Sequence, residues 1–147
     1  MLILKDLLDI NKNQLIKKIN YKLLNNKDLF SVLNDGKLNI RFKTIENYIK
    51  YLNSENIDIN WIVDILSYED ILPKYNKGIN IIMFEKENED DDNSDIKIIG
   101  YKYLNMIDYF DKEKPTLFLY KYNTNEIEPI VLKTNKSYYG VLTNDIK

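Results

Sequence analysis

The sequence predicts an α+β fold, with N-terminal helices packed on a C-terminal, mostly antiparallel sheet of four or five strands. Two observations predict it. Apolar residues recur at helical spacing up to Pro73, and from Gly78 onward they recur at the two-residue spacing of strands. The change happens once, so helices come first and strands second, which is the arrangement of an α+β domain. A length of 147 residues suits a single domain. Residues 1–147 are therefore expected to form one domain, with a mainly helical half at 1–73 and a mainly β half at 78–143.

In the helical half, Leu4, Leu7, Leu8, Leu15, Ile16 and Ile19 mark an apolar face. Asp9, Asn11 and Asn13 interrupt it, and Asn is a poor helix-interior residue. A break is expected near Asn11, with Asn11 or Asn13 capping a second piece that ends near Asn20. Residues 26–33 read as a short helix with Asn26 as N-cap and Gly36 as the stop. Asn39–Lys43 alternates and reads as a short strand or extended link. Thr44 can cap the next helix, with Glu46 well placed in its first turn. Ile45, Tyr48, Ile49 and Leu52 form its stripe. Asp58 or Asn60 opens a further helix over Trp61, Ile62, Ile65 and Leu66, with Trp61 as a core anchor. It must end before Pro73, because the residue before a proline is pushed out of helical geometry.

The β half reads as two hairpins end to end. Residues 79–84 are apolar on both faces, as are residues 116–120, and such strands are central and covered. Ile96–Ile99 fits a half-exposed strand. Asn123, Thr124 and Asn125 suit a turn. Pro129 cannot donate to a ladder, which puts its strand at an edge or a bulge. Tyr138–Thr143 is a candidate last strand.

Composition narrows the chemistry. The chain has no Cys and no His, and Arg41 is its only arginine. That excludes a Cys–His pair, a Ser–His–Asp triad and an ordinary structural zinc site. Ile, Asn, Lys and Tyr abound while Ala is absent, a bias that A/T-rich codons produce. With 21 basic and 23 acidic residues the net charge is -2, which argues against general nucleic-acid binding. Met1–Leu4 is too short for a signal-peptide core, and no run reaches the ~20 apolar residues that span a bilayer. The expectation is a soluble, intracellular protein away from membranes, with no cofactor and no metal.

Three constellations merit weighing. Glu85–Asp95 is a charge run without the residue order or glycine of a calcium loop, so it reads as a solvated hairpin loop. Asp95 and Lys97 share a strand face, with Glu85 on the neighbouring strand. An acid-x-Lys pattern beside a second acid can hold magnesium and a general base, so Glu85, Asp95 and Lys97 are the catalytic candidates of a magnesium-dependent nuclease or phosphoryl-transfer enzyme. Their simpler reading is an exposed cross-strand ion pair. Tyr101, Tyr103, Tyr109, Tyr120, Tyr122, Tyr138 and Tyr139 lie among lysines, including Lys114 and Lys121. That mixture can form a stacking platform for single-stranded nucleic acid. Its simpler reading is the strand preference of tyrosine.

The segments Gly78–Glu85, Ile96–Ile99, Phe110–Lys121 and Glu128–Ile130, preceded by Trp61 and Ile65, carry a resemblance over roughly half the chain. Together they resemble a C-terminal region shared by proteins of large nucleocytoplasmic DNA viruses. More loosely they are similar to the latter half of OTU-type papain-like cysteine proteases, which act as deubiquitinases. Such proteases need a Cys at the start of their first core helix and a His on a late strand. That His would be expected near Glu126–Glu128, where this chain has Glu126, Ile127 and Glu128. The resemblance therefore implies a catalytically dead relative, or the part of such a fold without the nucleophile, and no functional residue carries over. The leading expectation is a non-enzymatic, viral, protein-binding module. Its rivals are the magnesium enzyme and the single-stranded nucleic-acid binder.

Overall fold

The structure, a computed structural model, describes residues 8–86, 96–99, 113–121, 127–130, 132–133, 138–139 and 141–142. It divides into two compact units, residues 1–78 and residues 79–147.

The first unit is helical. A backbone reversal at Asp9, with φ 52°, precedes helix α1, Lys12–Asn25. Asn11 caps it: its Oδ1 accepts the Gln14 N–H at 2.8 Å, and Gln14 Oε1 accepts the Asn11 N–H at 3.5 Å. This reciprocal box satisfies donors that a helix start otherwise leaves open. The break near Asn11 is therefore as the sequence predicts, but the helix runs past Asn20 to Asn25. The reason is Leu23, which continues the buried stripe of Leu15, Ile16 and Ile19. The Lys12 and Lys22 ammonium groups donate to the carbonyls of Ser54 at 2.6 Å and Glu69 at 2.7 Å, tying α1 to later turns of the unit.

Helix α2, Lys27–Val32, follows Asn26, whose side chain makes no capping bond. Helix α3, Lys37–Phe42, replaces the strand or link expected at Asn39–Lys43. The alternation there is a coincidence of a helical pattern: Leu38 and Phe42, four apart, are buried, whereas Ile40 is exposed. Lys43, at φ 68°, ends α3. Thr44 then caps helix α4, Ile45–Leu52, as expected, its Oγ1 accepting the Asn47 N–H at 3.0 Å. Tyr48 and Leu52 are its buried residues.

The helix expected over Trp61–Leu66 is instead two short 3-10 turns, Ile59–Trp61 and Ile65–Ser67. The stretch is dense in β-branched Ile and Val, which crowd an α-helix. Asp58 opens the first turn, its Oδ1 accepting the Asn60 N–H at 3.0 Å. Phe42 lies 5.2 Å from the Tyr48 ring and meets Trp61 edge-on at 5.6 Å, so half-buried Trp61 flanks an aromatic cluster centred on Phe42. At Gly78, φ 92°, a Cβ would fall 2.3 Å from the Ser67 carbonyl oxygen, so the chain leaves this unit through a position only glycine fills.

The second unit is built on strands β1 (Asn80–Lys86), β2 (Ile96–Ile99), β3 (Thr116–Lys121) and β4 (Ile127–Ile130), in the order β2-β1-β3-β4. The hairpin pairs β1–β2 and β3–β4 are antiparallel. The central pair β1–β3 is parallel, from Asn80 opposite Thr116 to Glu85 opposite Lys121. The sheet is thus mixed: its described pairs are antiparallel except the central β1–β3, which two hairpins placed end to end did not foresee. Side-chain alternation marks faces but carries no strand direction.

Pro129 lies on β4, which ends the described order and so sits at an edge. Of the candidate strand Tyr138–Thr143, two pieces are described. Tyr138–Tyr139 (β6) pairs with Leu132–Lys133 (β5), whereas Val141–Leu142 (β7) pairs with β3. Among the described residues no helix falls within 79–133. The turn expected at Asn123–Asn125 and most of the acidic run lie outside the described residues.

Candidate functional site

Period two gives the sheet two unlike faces. One carries Ile81, Met83, Leu117 and Leu119, all buried, and continues at its end with Glu85 and Lys121. The other carries Asn80, Ile82 and Phe84 on β1 beside Thr116, Phe118 and Tyr120 on β3. Ile82, Phe84, Phe118 and Tyr120 are each half-buried, whereas Asn80 and Thr116 at the strand starts are buried, so this face is covered less completely than the other.

At the end of the buried face the register sets Glu85 opposite Lys97 on β2 and opposite Lys121 on β3. The carboxylate residue thus stands at one level of the sheet with a lysine on either side. Lys121 is 3% exposed and Glu85 is half-buried. Of the three candidate catalytic residues, the structure brings Glu85 and Lys97 into register, while Asp95 lies outside the described residues. Lys121 was missed as a neighbour of Glu85 because the two are joined only through the parallel pair. It also leaves the expected basic platform, since it sits on the face opposite Tyr120.

The half-open face is ordered by aromatic contact. Phe84 and Phe118 stack with ring centroids 6.4 Å apart and planes 18° apart. The row Ile82, Phe118, Ile130 runs across β1, β3 and β4, and the row Phe84, Tyr120, Glu128 runs beside it. Ile130, on the edge strand, is 44% exposed. Asn80 closes one end, its Nδ2 donating to the Lys114 carbonyl at 3.2 Å and to Thr116 Oγ1 at 3.3 Å. Sequence reasoning looked for aromatics among the tyrosines. The signal for this face was the phenylalanines at even positions of two strands whose pairing was not foreseen. Tyr101, Tyr103, Tyr109 and Tyr122 lie outside the described residues.

The helical unit holds a buried polar cluster. Asn34, Asp35 and Gly36 take φ values of 53°, 57° and 82°, a short left-handed turn between α2 and α3. Two L-residues in that region are unfavourable by roughly 1–2 kcal/mol each. The turn is held by Asp64, 2% exposed, whose Oδ2 accepts the Asn34 N–H at 2.7 Å, and by Asn34 Nδ2, which donates to the Asn60 carbonyl at 2.6 Å. Nearby, Tyr48 donates its hydroxyl to the Trp61 carbonyl at 2.6 Å. Burial pushes the Tyr48 hydroxyl far above the usual phenol range, with Tyr51 and Asp64 adding to it. Burial, then Asp64, also raises Tyr68. The cluster is structural in its connections: each of these bonds has a backbone group of the same unit at one end.

Among the described residues no three acidic side chains converge where they could hold a metal ion, and no helix is long and apolar enough to cross a membrane.

The chain is similar to an uncharacterized protein of Acanthamoeba polyphaga mimivirus, 25% identical over 146 residues. The match takes in 92% of this chain and spans 8% of that relative's length. The chain therefore resembles a protein of a large DNA virus. No family model matches it, and no solved structure matches it.

Proposed function

We propose that this chain is a non-enzymatic, protein-binding module of viral source that engages its partner through the half-open face of the sheet. The observation that carries the reading is the stacked Phe84–Phe118 pair continued by Ile130 on the edge strand. Apolar and aromatic side chains grouped on one face, with exposed Glu128 at its margin, have the composition of a protein interface. The missing Cys and His remove the thiol nucleophile and the imidazole base of the protease-type mechanisms. The mimivirus relative supports the viral source. The OTU-like reading rests on strand patterns alone, and purified ubiquitin is its direct probe.

The test is a pulldown from the producing cells with mass-spectrometric identification, run beside Phe118→Ser and Ile130→Glu. The reading expects a partner that the native chain captures and Ile130→Glu loses, with thermal unfolding of that variant unchanged. Equal capture by both variants overturns the face as the interface.

The magnesium-enzyme reading, on Glu85, Asp95 and Lys97, makes the opposite forecast: nucleic-acid cleavage with magnesium or manganese that disappears in Asp95→Asn. The register adds the buried Lys121 beside Glu85, and an ion at that carboxylate would compete with this cation. The buried place of Lys121 likewise removes one cation from the single-stranded nucleic-acid reading.

A further inference from the structure

The charge of this chain is unevenly distributed. Residues 12–43, which form α1 to α3, hold eight Lys or Arg against Asp28 and Asp35, a net of +6 in a chain whose total is -2. Lys17, Lys18, Lys27, Arg41 and Lys43 are exposed. The same stretch presents Tyr21 at 72%, Leu24 at 52%, Val32 at 57% and Ile40 at 77% exposure. Lys17, Tyr21 and Leu24 are spaced four and three apart, so they share the side of α1 away from its buried stripe. On α3, Ile40 is followed by Arg41, whose guanidinium lies 5.8 Å from the Phe42 ring centroid. A ring at that distance braces the guanidinium by cation–π attraction and lowers the entropy lost when it binds.

We infer that the outer surface of α1 to α3 docks an acidic protein segment that also carries aliphatic side chains, with Arg41 as the carboxylate anchor. This rests on the protein-binding reading and names the chemistry of a partner for a surface other than the sheet. Charge complementarity selects an anionic occupant, and the details select the class. Arginine presents a planar fork that matches a carboxylate with two parallel hydrogen bonds, and the chain places its sole arginine here. Exposed Leu24, Val32 and Ile40 are of no use to a nucleic acid, whose sequence-independent contacts are phosphates and stacked bases. A membrane surface takes a helix with one continuous apolar face, whereas here the aliphatic residues are distributed over three helices, two of them six residues long.

The test is fluorescence anisotropy with the full chain and four probes. They are a labelled peptide of repeated Glu-Leu-Asp-Ser units, its Glu-Ser-Asp-Ser counterpart, an oligothymidylate, and vesicles rich in phosphatidylserine. The inference expects the Leu-bearing peptide to bind tightest and to weaken as salt rises. Arg41→Gln and Ile40→Ser should each weaken it about tenfold, as loss of a paired charge or an apolar anchor does. Arg41→Lys should fall between Arg41→Gln and the native chain. Thermal unfolding is the control that each exposed substitution leaves the fold intact. Tighter binding of the oligothymidylate or the vesicles, no preference for leucine, or indifference to Arg41→Gln overturns the inference. Loss of the captured partner in Ile130→Glu with no peptide binding refutes this inference alone. Peptide binding with no effect of Ile130→Glu refutes the sheet interface alone.

Discussion

Asp64 is the residue that holds the left-handed turn of the first unit. Its carboxylate accepts the N–H of Asn34 inside the left-handed turn. Truncation leaves that buried donor without its acceptor, which costs the full desolvation of the group. Asp64→Ala should therefore lower stability by about 2 kcal/mol or more in urea denaturation. Asp64→Asn, which keeps an acceptor, should lose less. Tyr48 predicts a pH dependence. Its folded-state pKa is raised, chiefly by burial, above an unfolded value of about 10. The folded state thus holds this proton where the unfolded chain has released it. The contribution is complete below pH ~10 and is lost as pH rises beyond it. Tyr68 is raised too and acts in the same direction. Stability should fall as pH rises above ~10, and Tyr48→Phe should flatten that slope while losing the bond to the Trp61 carbonyl.

At the scale of elements, capping was the most legible feature. Asn11 and Thr44 are short polar side chains immediately before an apolar stripe, and both cap as their chemistry dictates. Thr44→Ala should cost about 1 kcal/mol by chemical denaturation. The β1–β2 hairpin yields a second expectation. Deleting Asn88–Ser94 and joining the ends with Asn-Gly should leave cooperative unfolding intact, because that dipeptide favours the tight turn a hairpin needs. Loss of cooperativity would give the acidic run a structural role.

What was illegible has physical reasons. Asn39–Lys43 alternates over too few residues to separate period two from period 3.6, and burial of Leu38 and Phe42 decides for helix. The stretch after Asp58 has an apolar helical pattern but β-branched residues, and it settles into 3-10 turns. The pairing of β1 with β3 depends on the direction in which the chain returns, which no side chain in either strand records. For that reason the Glu85–Lys121 register and the Phe84–Phe118 stack were both out of reach, although every residue in them had been placed in the correct strand.

At the scale of the molecule, two units and an uneven charge stand together. The helical unit sums to +2 and the strand unit to -4, from twelve basic against ten acidic residues and nine against thirteen. We propose that the whole chain unfolds in one cooperative transition, as one domain over residues 1–147 would. Coincident midpoints from Trp61 fluorescence, which reports the first unit, and from far-ultraviolet circular dichroism would verify it. Two separated midpoints would make the units independent domains.

The parallel pair at the centre of the sheet also sets the order of events in time. Asn80 meets Thr116 across 36 positions, while Lys86 meets Ile96 across ten. A hairpin closes in about 1–10 μs, and a contact between distant segments must first overcome the loop entropy of everything between them. While β3 is still undocked, β1 carries an open edge lined by Ile81 and Met83, the kind of strand that recruits a second chain. Refolding yield should therefore fall as protein concentration rises, which a dilution series into native buffer would measure.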